Sequence, residues 1–202
     1  MKIIGLTGQS GAGKGYVASC LEEKGVVHID CDRVYHELLI PPSECLDEIV
    51  RHFGKAILFP DGTLNRSALA SLVFRGKGHK DRLAALNLIS HKFVIKRCGE
   101  LIEKCRKNGE SAVLLDAPTL IESGLYRECD FVLVVTAPQT ERLSRIIKRD
   151  GITREKALER LESQPPENFY TEKADFVISN SGDGAALQAQ IAEFIAKIQK
   201  GV

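Results

Sequence analysis

Five short runs of consecutive apolar residues punctuate the chain: KIIGL at 2–6, VVHI at 26–29, AVLLD at 112–116, FVLVV at 131–135 and FVIS at 176–179. Each is rich in β-branched side chains and gives way to polar or turn residues, the pattern of strands. Their apolarity is continuous rather than alternating, which predicts strands covered on both faces. Helical patterns separate them, so right-handed crossovers and a parallel sheet follow. The expected fold class is α/β, a five-stranded parallel sheet flanked by helices. The longest interval, residues 31 to 111, exceeds one crossover helix. It contains the long helical pattern RLAALNLISHKFVIKRCGELIEKC and predicts an inserted helical region at 32–110. Residues 139–164 are strongly charged and helical, and DGAALQAQIAEFIAKIQK reads as an amphipathic closing helix. Segments 1–31, 111–138 and 165–202 then form the core of a single unit.

Composition narrows the class of function. The 202 residues are 44% hydrophobic and 27% charged with a net charge of +1, without the overall basicity of a nucleic-acid binder. No nucleic-acid partner is expected. The six cysteines, at 20, 31, 45, 98, 105 and 129, include no C-x-x-C pair, so neither a zinc site nor a disulfide framework is predicted. They read as reduced thiols, and Cys98 and Cys105, two helical turns apart, as core or groove residues rather than a redox pair. The opening KIIGLTG is too short for a signal peptide and no apolar run approaches a membrane span, so a cytoplasmic location without membrane association is expected. The five histidines show no H-E-x-x-H spacing and read as packed or surface residues.

The chemistry is concentrated at the ends of the strands. GLTGQSGAGKG follows the first strand and nearly completes a phosphate-binding loop, G-x-x-x-x-G-K-S/T, from Gly8 through Gly13 and Lys14. Glycines at 8, 11 and 13 let backbone N–H groups converge on one spot, and the following helix adds its positive N-terminus. Lys14 would bring a mobile charge to the β- and γ-phosphates. Gly15 stands where a hydroxyl normally meets Mg²⁺. That ion keeps several waters and takes most of its binding from the nucleotide, so the loss weakens rather than abolishes the site. A tight strand-to-helix turn serving packing alone is the alternative.

The second strand ends in VVHIDCD, which places Asp30 and Asp32 at the sheet's carboxyl edge, where an acid can accept a hydroxyl proton or hold Mg²⁺ through water. Asp32 is the expected base, whereas Asp30 serves equally well as a helix cap. Asp116, ending the third strand, is the expected indirect metal ligand, with a hydrogen-bonded strand-end acid as the alternative. In TERLSRIIKRDG, Arg142, Arg145 and Arg149 stack near one helix face. Like charges at that spacing are mildly unfavourable, so an anionic triphosphate beneath a closing lid would account for them. Neutralisation by Glu141 and Asp150 on a solvated helix is the competing account.

Several separated motifs resemble those of the dephospho-coenzyme A kinase family, in order and across nearly the whole chain. GLTGQSGAGKG is similar to its phosphate loop, IDCDRV to its D-A-D segment, and HFGKAILFPDGTLNRSAL to its F-G…I-L…D-G-x-L-x-R stretch. DAPTLIESGLY resembles its P-L-L-x-E turn, RLSRIIKRDGIT its lid, and ADFVISNSG its last strand and base-side loop. The resemblance implies a P-loop NTPase-like fold with a helical substrate domain and a helical lid. It also implies ATP- and Mg²⁺-dependent phosphorylation of the ribose 3′-hydroxyl of dephospho-coenzyme A. By position, Asp32 would activate the hydroxyl, and Lys14, Arg142, Arg145 and Arg149 would steady the phosphates. Gly8, Gly11, Ala12, Gly13, Lys14, Gly15, Tyr16 and Asn180 would hold the nucleotide; Asp32, Arg66, His91 and Pro118 would hold the acceptor. The chain departs from the family at Gly15-Tyr16, where Ser-Thr is usual, at His36, where arginine is common, and at Lys92, which replaces a proline after His91. A nucleoside or nucleotide kinase, or a nonenzymatic nucleotide-binding scaffold, are the other readings.

Overall fold

The computed structural model describes residues 1–200. Its five strands are β1 (Lys2–Thr7), β2 (Val27–Asp30), β3 (Ala112–Asp116), β4 (Phe131–Thr136) and β5 (Phe176–Ser179), in the order β2-β3-β1-β4-β5. β1 pairs parallel with β3 and β4, and β4 pairs parallel with β5. The continuous apolar runs explain this layout: all five residues of β3 are buried, whereas Val177 on edge strand β5 is 40% exposed. A strand flanked on both sides and both faces has no polar face to offer.

The chain divides into two compact units, Met1–Ile29 with Lys104–Val202, and Asp30–Glu103. In the first, α1 (Lys14–Glu22) and α9 (Gly184–Lys200) share one apolar cluster with the sheet. α9 contributes Leu187, Ile191, Phe194 and Ile198, a single stripe at helical spacing. Phe194 is fully buried, edge-on to Phe131 with ring centres 6.5 Å apart. Fully burying a side chain of that size is worth up to about 3 kcal/mol. α6 (Gln139–Asp150) and α7 (Arg154–Glu162) pack on each other through their own cluster of Leu143, Ile146, Ala157 and Leu161. Gly151, in the left-handed conformation, ends α6 and lets the chain turn back. The short helix α8 (Glu167–Thr171) leads into β5.

The second unit holds α2 (Cys31–Glu37), α3 (Glu44–Phe53), α4 (Arg66–Phe74) and most of α5 (His79–Lys107). Side-chain caps start three of these helices: Asp30 for α2, Ser43 for α3 and Asn65 for α4. Their apolar faces meet in a separate core that includes Ile49, Ile57, Leu69, Val73 and Phe93. Among the described residues, no helix is long and apolar enough to cross a membrane.

Candidate active site

The register of β1 against β3 sets Leu6 opposite Asp116, so the chain leaves the sheet at Gly8 beside that acid. The loop that follows is held by close backbone approach. Gly11 and Gly13 have φ of +80° and +97°; a Cβ would stand 2.5 Å from the Arg142 carbonyl oxygen at Gly11 and 2.1 Å from Asn180 Nδ2 at Gly13. Gly8 abuts the Val135 carbonyl in the same way. Buried Ala12 accepts a 2.8 Å hydrogen bond from Asn180 Nδ2 through its carbonyl, and Thr7 Oγ1 donates to the Pro118 carbonyl at 3.2 Å. Gly13 begins α1 without a side-chain cap, an arrangement that suits a helix N-terminus to an anion.

Lys14, the first residue of α1, forms an ion pair with Asp116 Oδ1. The other oxygen of Asp116 lies 3.4 Å from His28 Nε2, and His28 Nδ1 is 3.3 Å from Glu22 Oε1. His28 Nε2 is buried, and its 3.4 Å approach to Asp116 falls short of a well-formed hydrogen bond. The approach of Asp116 lifts the His28 imidazole above its ordinary value, with burial working against it. Burial alone would lift the Asp116 carboxyl, but His28 and Lys14 outweigh it and leave the group below the usual carboxylate range. The lysine that serves the loop therefore rests on a buried anion backed by a histidine. The sequence signal for this placement is a polar side chain inside an otherwise apolar strand.

The arginines of α6 divide into three situations. Arg142 is only 6% exposed. Its Nε donates to the Ser10 carbonyl at 3.0 Å, Nη1 to Gln9 Oε1 at 2.6 Å and Nη2 to Gln164 Oε1 at 3.4 Å. Gln164 Oε1 also accepts from Ser10 N at 2.9 Å. Arg145 reaches the carbonyls of Gly11 and Ala12, each at 3.3 Å, and of Asn180 at 3.2 Å, while pairing with Glu141 at 2.6 Å. Arg149 is exposed and paired with Asp150 at 2.7 Å, and Arg160 also pairs with that acid. Charge stacking is thus relieved by loop carbonyls and by the two acids that sequence had named as neutralising partners. Gln9 and Gln164 went unnoticed, because an amide has no distinctive spacing.

A cleft of about 630 Å³ adjoins this side of the loop, lined by Gln9, Pro138, Arg142, Leu161, Gln164 and Glu167 among others. Gly15 is exposed, and a Cβ there would meet nothing within 4 Å. The Tyr16 hydroxyl accepts from Gln188 Nε2 of α9 at 2.7 Å, so it does not stand in for the missing loop hydroxyl.

In the helical unit, Asp30 acts as the cap: its Oδ1 accepts from the N–H groups of Asp32 and Arg33 at 2.9 and 3.0 Å. Asp32 is exposed in the first turn of α2, and Arg66 is exposed as the first residue of α4. His91 lies half-buried on α5, and burial holds its imidazole below the ordinary value. The adjacent Lys92 binds Glu48 at 2.9 Å and lies over the Phe93 ring.

Comparison with known proteins adds to this geometry. Residues 2–186 match the family model described as dephospho-CoA kinase. A dephospho-CoA kinase of Listeria monocytogenes is 38% identical over 200 residues, 98% of each chain. Among solved structures, one from Thermus thermophilus superposes with a TM-score of 0.78 at 32% identity, covering 97% of both chains. A dephospho-CoA kinase from Campylobacter jejuni gives 0.71 at 26% identity and 98% coverage of both. By its glycine loop, its strand order and this end-to-end match, the chain belongs to the dephospho-CoA kinase family.

Proposed function

We propose that the protein transfers the γ-phosphoryl group of ATP to the ribose 3′-hydroxyl of dephospho-coenzyme A, giving coenzyme A and ADP in the cytoplasm. The observation that carries this reading is the match along residues 2–186 in a chain whose loop presents Lys14 at the start of α1. Asp32 takes the proton of the attacking hydroxyl, and its exposure in the first turn of α2 supports that role. Lys14 stabilises the charge developing on the transferred group. Arg142 and Arg145 act largely by fixing the loop's shape, because their donors are already engaged there. Arg149, at the far end of α6, is the arginine whose pairing is most easily exchanged for a phosphate oxygen. Residues 139–164 serve as the lid and 32–110 as the acceptor-binding region, with Arg66, His91 and Pro118 contributing to acceptor binding.

The residues present fit Mg²⁺ held mainly by the nucleotide. Asp116 offers a hard oxygen at the loop, the space beside Gly15 admits a water, and no cluster of three or more potential ligands occurs among the described residues. Mg²⁺ bound there supplies charge neutralisation for the β- and γ-phosphates. Incubation with ATP, Mg²⁺ and dephospho-coenzyme A, with AMP and nucleosides as competing acceptors, tests the reading through the mass and position of the product. One phosphate added at the ribose 3′ position supports it. ATP bound without transfer to any acceptor would instead identify a scaffold.

A further inference from the structure

Cys31 is the first residue of α2, set between the capping acid Asp30 and Asp32. Its Sγ lies 3.7 Å from the Sγ of Cys98 on α5, and the two residues are 6% and 0% exposed. The partner of Cys98 is therefore Cys31, not Cys105. We infer that Cys31 and Cys98 form a reversible disulfide when the protein meets a hydroperoxide, and that closing the bond restrains the first turn of α2 and slows phosphoryl transfer. The effect on transfer rests on the role proposed above for Asp32; formation of the bond does not.

Two thiols in contact need no large rearrangement to join. A disulfide requires sulfurs about 2.05 Å apart, so the pair must close by roughly 1.7 Å through side-chain rotation and a shift of backbone. α5 is 29 residues long and α2 only seven. The displacement falls on the short element, whose first turn holds Asp32. The contact with Cys31 also brings the Cys98 thiol below its ordinary value against the effect of burial, with Arg97 assisting. Burial pushes Cys45 up to about 11 and Cys129 up to about 12, which leaves them inert.

The chemistry balances with hydrogen peroxide as oxidant. The Cys98 thiolate attacks one peroxide oxygen, the O–O bond breaks, and hydroxide leaves and is protonated to water. The Cys31 sulfur then displaces the oxygen of the resulting sulfenic acid as a second water, forming the S–S bond. Both sulfurs are oxidised and the peroxide is reduced. Because both thiols are buried, entry of peroxide waits on a transient opening of α2, so the reaction is slow.

The test treats the reduced, full-length protein with hydrogen peroxide, blocks remaining thiols, and maps peptides by mass while following turnover. The expected result is a Cys31–Cys98 linked peptide lacking two hydrogens and a fall in turnover of about ten- to a hundredfold, the scale of a 1 Å misplacement near the reacting atoms. Dithiothreitol restores both. Cys98→Ala and, independently, Cys31→Ala should lose the peroxide response, with Cys98→Ala keeping the turnover of the reduced protein. Absence of the linked peptide, its formation with unchanged turnover, or a peroxide response that persists in Cys98→Ala overturns the inference. The linked peptide is read whether or not transfer occurs; a reduced protein that phosphorylates no acceptor counts against the kinase reading instead.

Discussion

Replacing Gly15 with serine restores the hydroxyl that the loop pattern lacks, and its consequences separate into two measurable parts. Gly15 is the second residue of α1, its backbone is not among the positive-φ glycines, and an added Cβ meets no atom within 4 Å. Serine therefore enters without strain, and the bond from Ser19 Oγ to the Gly15 carbonyl is untouched. Helix propensity alone favours serine over glycine by about 0.5 kcal/mol. For a protein of this size that is roughly 1–2 °C in unfolding midpoint. A hydroxyl contact to a charged partner adds about 1.5–3 kcal/mol, or roughly ten- to a hundredfold in affinity. Turnover titrated with Mg²⁺ at fixed ATP should give a half-saturating concentration lower by that factor, and calorimetry should show Mg·ADP binding more tightly. A raised unfolding midpoint with unchanged Mg²⁺ dependence would show that propensity acts and the metal contact does not. Lower activity at every Mg²⁺ concentration would show a loop adapted to glycine, and the missing-ligand account would be wrong.

Asp32→Asn should bind ATP normally by calorimetry yet lose about 10²–10⁴-fold in turnover, the usual contribution of a general base; unchanged turnover removes Asp32 from that role. Gly13→Ala forces a side chain into a left-handed conformation at about 1–2 kcal/mol and sets its Cβ 2.1 Å from Asn180 Nδ2, so ATP affinity and unfolding midpoint should both fall. An unaltered ATP affinity would mean that the loop tolerates displacement. His28→Gln tests the buried charge pair through pH, in the absence of Mg²⁺. Because the folded imidazole titrates above its unfolded value, the stability His28 contributes is present in full below that unfolded value and is lost as pH rises through the folded one. The difference in urea unfolding between wild type and variant should shrink across that window; a difference independent of pH would show that His28 acts by packing.

The strands were legible because burial on both faces writes itself into a run of adjacent residues: AVLLD and FVLVV announce β3 and β4 without reference to any partner. The glycine loop was legible for a related reason, since its conformation demands particular residues at fixed local spacing. Contacts that close the site join distant positions through groups every residue possesses. Arg142 meets the carbonyl of Ser10, 132 positions away, and Asn180 meets that of Ala12, 168 away. A backbone carbonyl has no sequence signature, so the sequence offers acids or a bound anion as partners for the arginines and not the loop carbonyls. The contact between Cys31 and Cys98, 67 positions apart, was hidden by the same distance.

Lys14 joins the two halves of the argument, because Asp116 and a phosphate both call on its charge. Releasing Asp116 altogether would leave a carboxylate that is only 7% exposed, with His28 Nε2 3.4 Å away. Stranding a buried charge in that way costs several kcal/mol. An ammonium has three donors, however, and can keep one on Asp116 while turning the others toward phosphate oxygens. On the proposed function, phosphoryl transfer would then call for rotation of the lysine head about a retained contact. That places the burden of precision on the carboxylate, and it gives His28 and Glu22, both behind Asp116 in the same unit, a reason to be where they are.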